Sequence, residues 1–202
     1  MSRFSYGPGR RNVAVVRSNG ERAALDSERA GRDGKPAGTG DSEPAGGQGP
    51  LPAIPVSAGA LIFDRGGRLL ILKPTYKPGW TIPGGVMEAD GETPWEACRR
   101  EVREECGLEV SRGRLACMDF RRPRPGRPGG VRFLFDCGAF GRSRLRAIVL
   151  QPEEIAEHRL VDLADALPLL RGPIRRRVRA ACAGRGLVYL EDGRPAPGVL
   201  SR

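Results

Sequence analysis

The chain of 202 residues carries 34 basic and 24 acidic side chains, and residues 171–202 alone, with eight basic and two acidic residues, hold +6 of the net charge of +10. It has no apolar run of membrane-spanning length and no N-terminal signal segment, so we expect a cytoplasmic protein without a membrane partner. The five cysteines are odd in number and form no C-x-x-C pair, so the sequence indicates neither a zinc site nor a disulfide framework.

The N-terminal quarter of the chain differs in composition from the rest. Residues 18–52 are dominated by Ser, Gly, Asp, Arg, Ala and Pro, without helical or strand periodicity. Such a segment cannot bury enough apolar surface to offset the entropy of ordering. We therefore predict a disordered extension over 1–52, a folded domain over 53–172, and a basic C-terminal helix and tail over 173–202.

The folded part begins with strands. Val56–Phe63 reads as a buried strand, Asp64–Gly67 as a turn, and Arg68–Lys73 as the hairpin partner. Trp80–Pro83 is a short extended piece that leads into the pair Gly84–Gly85. This pattern predicts a hairpin followed by a loop in which glycine permits close approach of the backbone.

A helix with clear end signals follows the glycine pair. Thr93 fits the N-cap, Pro94 the first helical position, and Glu96 the third residue of a capping box. Gly107 fits the position that closes a helix in the left-handed conformation. The signals predict a helix between Thr93 and Gly107.

This helix carries three carboxylates where its own electrostatics disfavour them. Glu101, Glu104 and Glu105 are neighbours on the helix surface and repel one another. Glu104 and Glu105 also lie in the last turn, next to the negative end of the helix dipole. Because the three flank the apolar stripe of the helix, the arrangement indicates a cleft in which a bound cation offsets the repulsion.

The remaining elements are shorter. The apolar pattern predicts further strands at Leu108–Phe120, Val131–Phe140, Leu145–Leu150, His158–Leu163 and Leu187–Leu190. It predicts helices at Ala164–Leu170 and Pro173–Ala183, the second amphipathic and rich in arginine.

The segment from the glycine pair to Leu108 resembles the Nudix box, written G-x5-E-x7-R-E-U-x-E-E-x-G-U with U apolar. Every fixed position from Glu92 to Leu108 matches the pattern. Gly85 and Glu92 are separated by six residues instead of five, so the loop holds one extra residue. The resemblance implies an α+β fold, specifically an α/β/α sandwich around a mixed β-sheet.

The resemblance also implies the ligands of a metal site. In Nudix hydrolases the glutamates of the E-x-x-E-E segment bind Mg²⁺ or Mn²⁺, and here they are Glu101, Glu104 and Glu105. A backbone carbonyl of the glycine pair, at Gly84, is expected to complete the coordination. Arg100 is expected to orient the cluster by bonding Glu92 or a ligand carboxylate, since its guanidinium donates in a fixed fork.

The implied activity is metal-dependent hydrolysis of a diphosphate bond in a nucleoside diphosphate linked to another moiety. The general base in this family is a glutamate of the box or of a later loop. Glu101 is the first candidate and Glu157 the second, with Glu153 and Glu154 behind it. The substrate is expected to be a nucleotide-type small molecule, and the sequence indicates no substrate-binding residues.

Two other functions stay open. A Nudix module that senses nucleotides without turnover is the first, because the extra loop residue could displace Glu92. Hydrolysis at the 5′ end of RNA, anchored by the basic tail, is the second. The loop Arg121–Arg127 is either a solvated loop or a phosphate-recognition segment, and a homodimer also stays open.

Overall fold

The computed structural model describes residues 53–184 and 186–200. The predicted disorder of 1–52 lies outside these residues. The described strands are β1 (Val56–Asp64), β2 (Leu69–Pro74), β3 (Gly84–Val86), β4 (Arg114–Arg121), β5 (Gly130–Phe140), β6 (Ile155–Val161), β7 (Val188–Glu191) and β8 (Arg194–Pro195). The helices are α1 (Pro94–Cys106), α2 (Arg142–Arg146), α3 (Leu163–Leu169) and α4 (Gly172–Cys182).

The described strands form one mixed sheet in the order β6-β2-β1-β5-β4-β7-β8, with β3 paired to β1. The pairs β1–β5 and β4–β7 are parallel, and the other pairs are antiparallel. Strand β2 is apolar on both faces because both are covered. Its Leu70 and Leu72 face one core cluster, and its Leu69 and Ile71 face the other.

Helices cover both faces of this sheet. On one face, α1 buries Cys98, Val102 and Cys106 in the first core cluster. On the other, α3 and α4 contribute Ala166 and Val178 to the second. The expected α/β/α sandwich around a mixed sheet is therefore confirmed.

The ends of α1 are as predicted. Thr93 and Glu96 form a reciprocal capping box, with Thr93 N–H donating to Glu96 Oε2 at 2.8 Å. Gly107 closes the helix at φ 65°, in the left-handed region where glycine is favoured. The local signals thus fix the helix that carries the three carboxylates.

Two predicted strands are shorter than expected or absent. Residues 108–113 are irregular, and β4 begins only at Arg114, because Gly113 packs closely under the ring of Trp95. The segment 145–150 forms no strand, since Leu145 lies in α2. The next residues cross the end of α1, where Val149 N–H donates to the free Cys106 carbonyl at 3.1 Å.

Three further differences concern strand boundaries. The glycine pair, predicted as a loop, forms β3 and pairs with β1. Strand β6 begins at Ile155 and not at His158, and β8 extends the sheet beyond β7. The predicted boundary between residues 172 and 173 falls at the start of α4, whose Val178 packs in the same core as β2.

No helix of the part that the structure describes is long and apolar enough to cross a membrane.

Candidate functional site

The glycine pair lies against the carboxylates of α1. Gly84 N–H donates to Glu105 Oε2 at 2.8 Å. Gly84 has φ +140°, and a Cβ there would lie 2.3 Å from the Ala58 carbonyl oxygen. A Cβ on Gly85 would lie 2.1 Å from Glu101 Oε1. Gly84 therefore requires glycine because its clash is with backbone, and a side chain at Gly85 would displace the Glu101 carboxylate.

Arg100 contacts several of the box carboxylates at once. Its Nη1 donates to Glu101 Oε1 and to Glu104 Oε2, each at 3.1 Å. Its Nη2 also donates to the Val86 carbonyl at 3.1 Å, which ties the helix to β3. The expected contact between Arg100 and the carboxylates is confirmed, and its role in catalysis stays a prediction.

The extra loop residue leaves Glu92 in contact with Arg100. Arg100 Nε donates to Glu92 Oε1 at 2.8 Å and Nη2 to Oε2 at 3.1 Å, a bidentate pair. Glu88 N–H also donates to Glu92 Oε2 at 2.7 Å. The Arg100 guanidinium is the first cause that lowers the pKa of Glu92 below its usual value. The loop therefore absorbs the insertion without displacing this carboxylate.

Burial acts in the opposite direction on two other carboxylates. Glu105 is 5% exposed, and this burial raises its pKa to about 8 despite the Gly84 N–H bond. Burial also raises the pKa of Glu101, against the lowering effect of Arg100. Glu104 is more open, with 48% of its side chain exposed. The helix thus presents one buried, one partly buried and one exposed carboxylate on the same side.

A second loop brings another carboxylate to this site. The charge of Glu154 raises the pKa of both Glu101 and Glu105, so its carboxylate lies within electrostatic range of them. The loop is held to the start of the β2–β3 connection, where Thr75 N–H donates to the Glu154 carbonyl at 2.9 Å. The Thr75 hydroxyl donates to the Glu153 carbonyl at 2.8 Å. We call Glu92, Arg100, Glu101, Glu104, Glu105 and Glu154 the carboxylate site.

Glu157, the second general-base candidate from sequence, lies inside β6. Its Cα pairs with that of Lys73, and Arg159 Nε donates to its Oε1 at 2.7 Å. The carboxylate of Glu157 is thus paired with Arg159, whereas the charge of Glu154 is one of the causes that raise the pKa of Glu101 and Glu105. The sequence analysis ranked Glu157 above Glu154 because it predicted that the strand begins at His158. The strand begins three residues earlier, at Ile155, so the last loop residue is Glu154.

Lys77 is a residue that sequence reasoning missed. Its positive charge lowers the pKa of Glu105, and its ammonium donates to the Tyr76 hydroxyl at 2.9 Å. The chain has only three lysines against 31 arginines by count. The signal that the sequence offered was the position of this rare lysine, in the segment Lys77–Trp80 that leads into the glycine pair.

The donor chemistry of this site fits a hard divalent cation. All the candidate ligands are oxygens, which Mg²⁺ and Mn²⁺ prefer. Five carboxylates face two cations here: Glu92, Glu101, Glu104, Glu105 and Glu154 against Arg100 and Lys77. In the present side-chain positions, no three Asp, Glu, His or Cys residues within 53–184 and 186–200 are close enough together to hold a metal ion. The Arg100 guanidinium lies between Glu101 and Glu104.

A family model and one curated relative cover most of the described part. The model of the NUDIX domain matches residues 53–182. A MutT-like protein of Streptomyces ambofaciens is 32% identical over 127 residues, which cover 56% of this chain and 79% of that protein.

Shorter matches point to a second group. An RNA pyrophosphohydrolase of Gluconacetobacter diazotrophicus is 40% identical over 62 residues, and the match spans 36% of its length. Among solved structures, a MutT protein of Methanosarcina mazei Go1 aligns with a TM-score of 0.55 at 24% identity. That alignment covers 64% of this chain and 94% of the other, and it shows a shared fold.

Proposed function

The chain belongs to the NUDIX domain family and is a Nudix hydrolase, and on this premise we propose that it cleaves a diphosphate bond in a nucleoside diphosphate linked to another moiety, with Mg²⁺ or Mn²⁺. The observation that carries the proposal is the excess of carboxyl groups over cations at the carboxylate site, where the pKa values of Glu101 and Glu105 are raised by burial. Burial of unpaired carboxylates is costly unless a cation offsets it.

We assign the metal ligands to Glu101, Glu104 and Glu105, with the Gly84 carbonyl as a fourth group. A bound divalent cation supplies charge neutralisation for the diphosphate and a more acidic water. The structure supports the ligand set through the closeness of β3 to α1, where Gly84 N–H already holds Glu105.

The other residues of the site hold the ligand carboxylates in place and remove the proton from the attacking water. Arg100 holds Glu92, Glu101 and Glu104 in one arrangement through its fork of donors. A water oxygen forms the new bond to phosphorus, the bridging P–O bond breaks, and the leaving group departs as a phosphate or a nucleotide. We assign removal of the water proton to Glu154, or else to Glu101, and contact with the phosphates to Lys77.

Hydrolysis of a substrate panel tests this proposal. Purified full-length protein is incubated with nucleoside diphosphate conjugates, nucleoside triphosphates and dinucleoside polyphosphates, with and without Mg²⁺ or Mn²⁺. We expect metal-dependent release of phosphate or nucleoside monophosphate, abolished in Glu104→Gln. Glu109→Gln removes an exposed glutamate outside the site as a matched control. Hydrolysis that is unchanged in Glu104→Gln, or absent with every substrate, contradicts the proposal.

The sensing alternative loses its original motivation. It assumed that the extra loop residue displaces Glu92, but Glu92 forms a bidentate pair with Arg100. Nucleotide binding without hydrolysis in the same panel is the result that would restore it.

A second candidate function is hydrolysis at the phosphorylated 5′ end of RNA. Three curated RNA pyrophosphohydrolases match this chain at 40–43% identity, each over about a third of its own length. The test is release of phosphate or pyrophosphate from a 5′-triphosphorylated RNA in the same assay. If mononucleotides are hydrolysed and RNA is not, this candidate is rejected while the primary proposal stands.

A further inference from the structure

Four arginines from three distant segments meet at the other side of the sheet. Together with two acidic residues they line a cavity of about 410 Å³. The lining residues are Arg122 and Arg124 of the β4–β5 loop, Arg176 of α4, Arg194 of β8, and Glu191 and Asp192 of the β7–β8 turn. We call this cavity the arginine pocket.

Only part of the positive charge of the pocket is balanced from within. Arg122 pairs with Glu191, and Arg124 Nη2 lies 3.2 Å from Asp192 Oδ2. Arg176 and Arg194 form no ion pair with any residue that the structure describes. The pocket therefore keeps a net charge of about +2 and two guanidinium groups that can each bind a phosphate oxygen.

The turn beneath the pocket is held by a buried polar group. Asp119 is fully buried on β4, and Gly193 N–H donates to its Oδ1 at 2.8 Å. A Cβ on Gly193, which has φ +77°, would lie 2.5 Å from Arg176 Nε. The glycine thus lets Arg176 lie against the turn, and the pocket is built from fixed backbone.

A second buried charge lies under the same turn. Arg177 on α4 is 9% exposed, and its Nη1 lies 3.9 Å from Asp119 Oδ2. Neither Arg177 Nε nor Asp119 Oδ2 has a hydrogen-bond partner among the described residues. Arg177 and Asp119 carry opposite charges, so this buried pair holds the turn in place and leaves the net charge of the pocket to the arginines that line it.

The strand registers place the pocket and the carboxylate site at the same end of the sheet. At that end of β1, Gly59 pairs with Gly84 and Val56 with Val131. The row continues from Val131 to Phe120 and from Phe120 to Glu191. Gly84 itself lies on β3, so four strand spacings separate β3 from β7, a distance of roughly 19 Å along the sheet.

This distance sets the size of a ligand that could reach both places. A single nucleotide with its phosphates at the carboxylate site does not span it, whereas a strand of a few nucleotides does. Residues 51–170 carry 18 basic and 16 acidic side chains, so positive charge is not general on the domain. A local positive pocket at the same end of the sheet as the carboxylate site favours a ligand with several linked phosphates.

We propose that the arginine pocket binds phosphodiester groups of a single-stranded RNA whose 5′ end lies at the carboxylate site. Arg176 and Arg194 are the principal contacts, and Arg122 and Arg124 line the rim. The proposal rests on the RNA 5′-end candidate above. It makes substrate length, through the pocket, a determinant of specificity.

The test compares two double variants that remove the same charge. Arg176→Gln with Arg194→Gln empties the pocket of its unpaired guanidiniums. Arg142→Gln with Arg146→Gln removes two exposed arginines of α2, at the opposite end of β5. Binding of a 5′-triphosphorylated octanucleotide and of a mononucleoside triphosphate is measured by fluorescence anisotropy in chelator, over a series of salt concentrations.

We expect the pocket variant to weaken octanucleotide binding about fivefold to tenfold and to leave mononucleotide binding unchanged. Its plot of log K against log salt should be shallower by about 1.4, because each lost phosphate contact on a single strand contributes about 0.7. The α2 variant should change neither. Arg176→Lys with Arg194→Lys should keep most of the affinity, since it retains the charges, and circular dichroism with thermal melting checks that each variant is folded.

Several outcomes overturn the proposal. Equal loss of RNA affinity in both double variants means that the effect is general charge. Loss of mononucleotide affinity in the pocket variant means that the pocket binds small phosphates. If wild-type protein hydrolyses nucleotides in Mg²⁺ but its kcat/KM does not rise with RNA length, this inference fails and the proposed function stands. If it hydrolyses neither class, the proposed function fails.

Discussion

The carboxylate site and the arginine pocket concentrate charge of opposite sign in different ways. At the carboxylate site, Glu105 is almost fully buried and its negative charge is opposed by one arginine fork and a lysine. At the arginine pocket, the positive groups are open to solvent and half of them are paired with acidic residues. The first site therefore holds its charged groups where electrostatic interactions are strong, and the second holds them where salt screens them.

The largest effect is expected from Glu101→Gln, which removes a partly buried carboxylate of the first site. We expect kcat to fall about 10³-fold, because a metal ligand or general base is lost. The loss should be the same for mononucleotide and RNA substrates, in contrast to the pocket variants. Steady-state kinetics on both substrates measure it, and a loss confined to RNA would break the distinction between the two regions.

The next effect concerns stability and its dependence on pH. The pKa of Glu105 is raised from 4.5 to about 8 in the folded protein, so the folded state binds more protons than the unfolded state between these values. The free energy of unfolding of metal-free protein should therefore fall as pH rises from 4.5 to 8. Glu105→Gln should remove this loss and stabilise the metal-free protein by on the order of 3 kcal/mol at neutral pH.

Thermal denaturation in chelator across this pH range measures the effect. Glu109→Gln, which lies outside the buried cluster, is the control and should leave the pH dependence unchanged. Equal stabilisation by Glu105→Gln at pH 4 and at pH 8 would show that repacking, and not ionisation, is responsible.

Two glutamates at the start of β6, Glu154 and Glu157, are the general-base candidates that substitution can distinguish. Glu154→Gln should lower kcat by about 10²-fold, since its charge acts on Glu101 and Glu105. Glu157→Gln, three residues later and paired with Arg159, should lower kcat less than about threefold. The two values of kcat at saturating substrate decide the assignment, and the reverse order would return Glu157 to the role that the sequence suggested.

A smaller effect is expected from Arg100→Lys. The lysine keeps the charge but cannot bond Glu92, Glu101 and Glu104 together, so we expect kcat to fall about tenfold to thirtyfold. The KM should change little, because Arg100 is a positioning residue. A large rise in KM with unchanged kcat would mean that Arg100 contacts the substrate directly.

The smallest effect should come from deleting Ala89, which restores the family spacing of five residues in the glycine loop. Glu92 already forms its bidentate pair with Arg100, so we expect kcat/KM to stay within about threefold of wild type. A large gain of activity would show that the insertion impairs the site and would revive the sensing alternative.

The sequence predicted those parts of the molecule that local interactions determine. Each end of α1 is set by residues close in sequence, Thr93 with Glu96 at the start and Gly107 with Arg103 at the end. The three carboxylates and Arg100 lie on this one helix. Their geometry relative to one another follows from helix periodicity, without knowledge of the rest of the fold. For the same reason the contact of Arg100 with Glu101 and Glu104 could be expected.

Features that depend on distant segments could not be predicted in this way. The apolar residues near Ile148 resemble a strand, but the backbone there is used to cap α1 at Cys106. Glu154 and Lys77 meet the carboxylates because two loops are joined through Thr75, almost 80 residues apart in sequence. The arginine pocket joins Arg124, Arg176 and Arg194, and no motif relates their positions.

The short segment from Val149 to Glu154 connects the end of α1 to a carboxylate of the same site. Val149 is fixed to Cys106, and Glu154 to Thr75, so each end of the segment is anchored by a backbone hydrogen bond. A change of length between these anchors would re-aim Glu154 while leaving every residue of the box in place. The geometry of the carboxylate site therefore depends on a connection outside the box as well as on the residues of the box itself.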